Sequence, residues 1–320
     1  MRVAVVVPVR NGHAMVRECV AACLAQTRPP DELVVVDNGS RDDTGALARA
    51  AGATVVHEPV RGSFRARNRG WKSTTADVIA FTDVDCVPNP DWLAELTEPF
   101  GDPTVAGVGG AIIQAEINSA PQRWMVERQF LDQGFNASSA FLPFFATANV
   151  AYRRSTLESL GGFDEAFVIS GGDNDLTWRV QVLAGGKAVY RPEAEVRHFV
   201  GRHVTDITAR WRRYSSGIVL LERRWSAWPG YPEPPRLAAR TKRIWGLPFA
   251  LAHRAATRRP LSVPLIDAAV AVSAEFGRLG GHLDAWRRGV TPLPHENRAA
   301  PVHRAIPARD RDDRPEPLAQ

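Results

Sequence analysis

Val78-Ile-Ala-Phe-Thr-Asp83-Val-Asp85-Cys-Val-Pro88 decides how this chain is read. Val78-Ile-Ala-Phe81 is a continuous apolar run, the pattern of a strand covered on both faces. Asp83 and Asp85 follow just beyond its carboxyl end, one residue apart. Carboxylates so placed suit a divalent cation that carries a diphosphate, because Mg2+ and Mn2+ prefer oxygen and bind through one or two carboxylates plus substrate phosphates. The pair points to a nucleotide-diphosphate substrate. In isolation an Asp-x-Asp loop serves equally as a turn or a helix cap, so the flanking chain must decide.

Outward from this stretch, strand and helix alternate. Strands are expected at Val3–Val9, Leu33–Asp37, Ala53–His57 and Asp77–Thr82. Helices are expected at His13–Thr27, Asp42–Ala51, Phe64–Thr74 and Pro90–Phe100. Val16, Cys19, Val20 and Cys23 share one face of the first helix. Apolar strands, short loops and this alternation predict a mainly parallel, doubly wound α/β sheet flanked by helices. Such sheets bind ligands outside the carboxyl ends of their strands, where Asn11, Asp37 and Asp83 all fall.

After a strand at Val105–Gln114 the rhythm changes. A helix is expected over Ala120–Asp132, a strand over Ala146–Tyr152 and helices over Arg154–Leu160 and Asp173–Leu183. Strands follow near Lys187–Arg191 and Glu195–Phe199, then an amphipathic helix over Asp206–Trp225. The Pro-rich stretch Trp228–Pro235 sets off a C-terminal region with apolar patches at Ile244–His253 and Leu261–Leu279. The Pro-, Arg- and Asp-rich tail over 291–320 has a disordered composition. The expected organisation is one α/β domain in two halves, 1–115 and 116–225, then a helical extension over 226–290 and the tail.

The net charge of +5 divides unevenly, +9 over residues 206–320 and −4 over residues 1–205. The basic region alternates arginines with Trp211, Trp225, Trp228 and Trp245, which favours an anionic membrane surface over nucleic acid. No apolar run is long enough for a confident membrane span, and the N-terminal run reads as a strand rather than a signal peptide. Three cysteines make neither a disulfide framework nor a zinc spacing, which suits a reducing cytosol. The expected location is cytoplasmic, with contact at the cytoplasmic membrane face.

Four further segments carry chemistry. Val7-Pro-Val-Arg-Asn-Gly12 exposes backbone and an amide at a strand end. Val34-Val-Val-Asp37-Asn-Gly-Ser40 offers a carboxylate to a ribose or base. Gly62-Ser-Phe-Arg-Ala-Arg-Asn-Arg-Gly70 places basic and amide groups at a helix start, a setting for phosphate. Ser170-Gly-Gly-Asp173 aims a carboxylate from a helix start, where it could act as general base or merely cap.

In this order the motifs resemble family 2 glycosyltransferases of the GT-A (nucleotide-diphospho-sugar transferase) fold. The matching segments are Pro8-Val-Arg-Asn11, Asp37-Asn-Gly-Ser40, Ala66-Arg-Asn68, Asp83-Val-Asp85, Ala148-Asn-Val-Ala-Tyr-Arg153, Gly161-Gly-Phe-Asp-Glu165 and Gly172-Asp-Asn-Asp-Leu176, across roughly residues 1–225. The resemblance implies that Pro8, Val9, Arg10, Asn11, Asp37, Arg67, Asn68, Asp83 and Val84 serve the nucleotide sugar. It implies Asp85, with Asp83 and His198, for an Mn2+ or Mg2+ ion, and Asp173 as base of an inverting transfer. Asn149, Gly171, Gly172, Asp175 and Trp178 would face the acceptor, with Asp175 the fallback base. The family often carries Glu-Asp where this chain has Gly172-Asp173, which weakens carry-over of the missing Glu's contacts.

The expected activity is metal-dependent, inverting transfer from a nucleotide-diphospho-sugar to a glycan or lipid-linked hydroxyl acceptor in polysaccharide, cell-envelope or glycolipid synthesis. No nucleic-acid partner is expected. The competing readings are a non-catalytic sugar-nucleotide or glycan-binding module and a sugar-1-phosphate nucleotidyltransferase. The latter usually needs a longer Gly-rich loop than Arg10-Asn-Gly12.

Overall fold

The computed structural model describes residues 1–168, 170–257 and 261–293, so nearly all of the expected tail over 291–320 lies outside the described residues. In chain order the elements are β1 (Val3–Val9), α1 (Val16–Leu24), β2 (Glu32–Asp37), α2 (Thr44–Ala50), β3 (Thr54–His57), α3 (Ser63–Lys72), β4 (Val78–Thr82) and β5 (Cys86–Pro88). Next come α4 (Trp92–Thr97), β6 (Val105–Gln114), α5 (Ala120–Glu127), α6 (Gln133–Ala137), β7 (Asn149–Arg153), α7 (Arg154–Leu160), α8 (Gly172–Val182) and β8 (Lys187–His198). Four helices complete the described chain: α9 (Val204–Trp225), α10 (Leu237–Trp245), α11 (Leu247–Ala256) and α12 (Ser262–Arg287).

The strands form one sheet in the order β3-β2-β1-β4-β7-β6-β8-β5. Pairs β2–β3, β1–β2, β1–β4 and β6–β8 are parallel. Strand β7 runs antiparallel to both β4 and β6, and β5 antiparallel to β8. Successive side chains of a strand point to opposite faces. Val3, Val5 and Val7 of β1 accordingly join a core with Cys19, Cys23 and Trp92, while Ala4 and Val6 join one with Phe64, Trp71 and Phe163. Both faces are covered, which is why β1 reads as a continuous apolar run.

Several boundaries differ from the sequence reading. Helix α5 stops at Glu127 rather than continuing to Asp132, because Gln129 (φ 52°) and Leu131 (φ 59°) turn left-handed. Asp132 then caps the short α6 by accepting from Phe135 N at 3.1 Å. The two strands expected at 187–191 and 195–199 are one strand, β8, with a bulge between them. Gly110 pairs with Arg191 and Ala111 with Glu195, so Pro192–Ala194 are extra. Pro192 has no N–H to give the ladder, and proline inside a sheet sits at such bulges.

Asn149 closes this irregularity from β7. Its Nδ2 donates to Ala111 O at 2.7 Å and Ala194 O at 2.8 Å, and its Oδ1 accepts from Trp92 Nε1 at 2.7 Å. A Cβ at Gly110 would lie 2.1 Å from Ala194 O, so a side chain there would displace the bulge.

Helix α12 packs along α9. A Cβ at Gly277 would lie 2.1 Å from Arg212 O, and one at Gly281 2.7 Å from Ser216 O. Two small residues thus let the backbones meet. Arg278 pairs with Glu222 at 2.7 Å, while Asp267 accepts from Trp124 Nε1 at 2.9 Å and pairs with Arg128. Ile207, Val263, Ile266 and Val270 join Trp124 and Met125 in a separate core. The opposite face of α12 presents Leu265, Val272, Phe276, Leu279, Leu283 and Trp286 to solvent.

Candidate functional site

A cleft of about 710 Å³ opens at the carboxyl ends of β1 and β4. Pro8 and Val9 end β1 and Arg10 follows them, and Asp83, Val84 and Asp85 follow β4. Opposite them stand the first turn of α3, the first turn of α8, His198 at the end of β8 and one face of α9.

Two side-chain pairs, one ionic and one carboxylate–imidazole, organise the floor. Asp83 pairs with Arg67, which is almost wholly buried and donates Nη1 to Ser63 O at 3.2 Å. Arg67 Nε, buried beside it, has no hydrogen-bond partner among the described residues. Asp85 Oδ2 lies 3.5 Å from His198 Nε2. Burial raises the Asp85 pKa above the usual carboxylate range, with His198 opposing that shift. Burial also lowers the His198 pKa, against the pull of Asp85, so the imidazole is a neutral donor near pH 7.

Asp85, Cys86 and His198 bring ligand atoms within 4.8 Å of one another. Burial, reinforced by Asp85 and Asp83, raises the Cys86 pKa far above its ordinary value and keeps it a thiol. The usable donors are therefore one carboxylate and one imidazole. That set fits Mn2+ well and Mg2+ adequately, with phosphate oxygens to complete the shell.

Asp173 enters from the first turn of α8. Gly171, at φ 88°, turns the chain left-handed to admit it, a conformation that glycine adopts without steric cost. Its carboxyl group opens onto the cleft, yet enclosing protein raises its pKa, with Arg67 opposing. A carboxylate with raised proton affinity, facing a cavity, is equipped to accept a proton.

Of the residues expected at the site, Pro8, Val9, Arg10, Arg67, Asp83, Val84, Asp85, Gly171, Asp173 and His198 line the cleft. Asn11 does not: at φ 53° its N donates to Ser40 Oγ and its Oδ1 accepts from Arg41 N, both at 2.9 Å. Asp37 accepts from Ser40 N at 2.9 Å and holds the same loop. Asn68 is buried, gripping Phe163 through N (2.9 Å) and O (2.8 Å) while accepting from Trp71 Nε1 at 3.0 Å.

The acceptor-side group needs most revision. Asn149 is the sheet cross-link described above. Gly172 lies against Phe64, where a Cβ would come within 2.8 Å of the ring. Trp178 is buried, donates to Leu142 O at 3.1 Å and packs edge-on against Phe141 and Trp225. Asp175 is fully buried, pairs with Arg179 at 2.8 Å and accepts from Trp225 Nε1 at 3.1 Å. It faces no cleft and is unsuited to be a base.

Sequence reasoning missed Arg210, Arg213 and Tyr214, which line the cleft from α9. Their i, i+3, i+4 spacing puts them on one helix face, a signal that was present. Arg210 lies over the Phe130 ring, 5.6 Å from its centroid. Burial disfavours the Arg210 charge, but Tyr214, Asp85 and Asp83 outweigh it and raise its pKa. The tryptophans assigned to a membrane also moved: Trp225 and Trp228 are core, and Trp211 packs on Trp124 and Phe130. Of that set Trp245 is strongly exposed, joined by Phe249 and Trp286.

Comparison with known proteins gives a consistent outcome. Residues 4–161 match the model of Glycosyl transferase family 2. A pre-mycofactocin glycosyltransferase of Mycobacterium tuberculosis is 32% identical over 229 residues, 68% of this chain and 47% of the relative. Glycosyltransferase AglE of Haloferax volcanii is 30% identical over 55% of this chain and 60% of its own. The chain thus spans about half the length of the first of these relatives and somewhat more of the second. Among solved structures, mannosyltransferase PcManGT from Pyrobaculum calidifontis, in complex with GDP-Man and Mn2+, superposes with a TM-score of 0.61 at 23% identity. That match covers 88% of this chain and 87% of the other. Glucosyl-3-phosphoglycerate synthase from M. tuberculosis, in complex with Mn2+, UDP-Glc and phosphoglyceric acid, gives 0.52 at 23% identity over 69% and 78%.

Proposed function

Because the chain belongs to glycosyl transferase family 2 and has the GT-A fold, we propose that it transfers a sugar, with inversion, from a nucleotide-diphospho-sugar to a hydroxyl acceptor. One observation carries the reading: a carboxylate–imidazole pair, a raised-pKa carboxylate and five arginines (Arg10, Arg61, Arg67, Arg210 and Arg213) converge on one cleft. The wall from Pro8 to Arg10 and the Asp83–Arg67 pair would receive the nucleotide. Arg67 Nε is a buried donor in want of an acceptor, and a phosphate oxygen supplies one. Asp85 and His198 would hold Mn2+ or Mg2+, whose Lewis acidity stabilises charge on the leaving diphosphate. Arg210 and Arg213 add fixed positive charge from α9.

Asp173 would take the proton of the acceptor hydroxyl as its oxygen attacks the anomeric carbon opposite the diphosphate. Glycosyl transfer passes through an oxocarbenium-like transition state, and a single displacement of this kind inverts the centre without a carboxylate nucleophile. The test is a thermal-shift and turnover screen of UDP-, GDP- and dTDP-sugars with and without Mn2+ or Mg2+. One donor should stabilise the chain and be turned over with a cation present. Equal turnover in EDTA would remove the metal from the proposal.

Peripheral membrane contact is the finer part of this reading. The six exposed apolar residues on the outer face of α12, with Trp245 and Phe249, support it. Arg236, Arg240, Lys242 and Arg287 flank them, a composition suited to an anionic interface. No described helix is long and apolar enough to cross a membrane. Co-flotation with anionic vesicles, weakened by Phe249→Ala plus Trp286→Ala, is expected, and a chain that stays unbound at low salt contradicts it. On this reading residues 1–225 form the catalytic unit and residues 226–290 brace it.

A further inference from the structure

A second cavity, of about 320 Å³, lies between α9 and α12. It shares Ser170 and Arg213 with the main cleft, so the two compartments adjoin next to the segment that delivers Asp173. Glycines bring its walls together. A Cβ at Gly217 would lie 2.6 Å from Ser170 O, and Gly277 similarly admits the α9 backbone. Arg212 and Arg213 line it from α9, and Arg288 from just beyond α12, with Asp284 the one carboxylate residue in the lining. Among the described residues none of these three guanidinium groups makes a hydrogen bond or ion pair. Partial burial, then the charges of Arg210, Arg212 and Arg61, hold the Arg213 pKa below its ordinary value, with Tyr214 opposing. Phe276 lines the same cavity and belongs to the exposed apolar face of α12.

We propose that this cavity is an acceptor subsite for an amphiphile with an anionic headgroup, phosphate or carboxylate, whose apolar part lies along Phe276. The inference rests on the transferase reading and adds the acceptor's chemical class. Planar guanidinium groups recognise phosphate and carboxylate oxygens through paired N–H donors. An anion seated between Arg212, Arg213 and Arg288 tethers the acceptor in the compartment beside the cleft. Holding one reactant in place removes entropy from the barrier of the chemical step.

Gly280 provides a clean test. It lines the cavity, and a Cβ there meets nothing within 4 Å. Gly280→Leu therefore fills the space from a helix position where leucine is the better helix former. The full chain, Gly280→Leu and Arg288→Ala are titrated calorimetrically with octyl phosphate, inorganic phosphate and 1-octanol. Octyl phosphate should bind the parent chain and weaken about tenfold or more in both variants, through loss of a charge-assisted contact in Arg288→Ala and loss of the space in Gly280→Leu. Nucleotide binding should stay unchanged in both, which shows the fold and main cleft intact. Inorganic phosphate binding as tightly as octyl phosphate, with the same sensitivity, would leave an anion site for free phosphate and overturn the amphiphilic acceptor. Octanol binding as tightly as octyl phosphate, or undiminished octyl phosphate binding in Gly280→Leu, overturns the proposal. No sugar transfer is measured, so a failure here is distinct from a failure of the transferase reading.

Discussion

Asn149→Ala separates the structural role of this residue from the acceptor contact that its sequence context suggests. The wild-type amide makes three buried hydrogen bonds, to Trp92 Nε1, Ala111 O and Ala194 O. Alanine leaves all three groups without that partner. Each buried group so orphaned costs about 1–3 kcal/mol. The two carbonyls flank the β8 bulge, where the extra residues disrupt the ladder that would otherwise take them. Some relief comes from water entering the vacated space, so the expected loss is about 3–5 kcal/mol, a large part of the ~5–15 kcal/mol that holds a typical domain. For a chain of this size that lowers Tm by roughly 10 °C. Differential scanning calorimetry measures the shift, and sugar transfer well below Tm measures what remains. Turnover per folded molecule should hold within about threefold, since the bonds lost are not transition-state contacts. An unchanged Tm combined with a raised acceptor KM would refute the argument and return Asn149 to the acceptor.

Asp173→Asn should lower transfer roughly 100- to 10,000-fold while nucleotide binding persists; unchanged transfer in a coupled nucleotide-release assay removes Asp173 from the chemistry. The raised Asp173 pKa should move the acid limb of kcat/KM above the ordinary carboxylate range, and a limb at an unperturbed value contradicts the burial argument. The stability sign follows: the folded state holds this proton to higher pH than the unfolded chain, so stability falls as pH rises through the folded pKa. Asp173→Asn should therefore raise Tm at pH 7 and do so less at acidic pH, as thermal scans at both will show. Asp85→Asn should weaken Mn2+ binding at least about tenfold by titration; equal affinity would move the cation elsewhere. Asp175→Ala leaves Arg179 buried without its partner and should cost about 3–5 kcal/mol, with little change in turnover; a large loss of turnover in folded protein would reinstate it as a base.

The parallel half of the sheet was legible because its signal is local. Valine runs, turn residues and a 3.6-residue helical period repeat within short windows, and Asp83, Asp85 and Asp173 fall where such elements end. Strand β5 and helix α6 were not legible, since three and five residues are too few to show a period. The β8 bulge was half legible: both arms were expected, but only pairing with β6 joins them across Pro192. Asn149, Asp175 and Trp178 looked functional because a polar or aromatic residue near a motif reads the same whether it faces a ligand or the core. Their partners, Ala194, Arg179 and Leu142, lie on other elements or another turn, and burial alone tells the cases apart. Arg210 and Arg213 were assigned to a surface because composition counts charges without their direction.

The close glycine contact between α9 and α12 has a consequence for synthesis. Domains fold as the chain emerges, amino-terminal parts first. The strands, α8 and α9 all precede Gly230, whereas the helix that covers Ile207 and completes the second cavity begins at Ser262. A nascent chain that has just released Trp225 can close its sheet, yet it still carries an uncovered apolar flank. Until α12 arrives, that intermediate is a natural client for a chaperone and a target for proteolysis. Ribosomal pausing or truncation in the Pro-rich segment after Trp228 should prolong its exposure, making the timing of the last helix a determinant of yield.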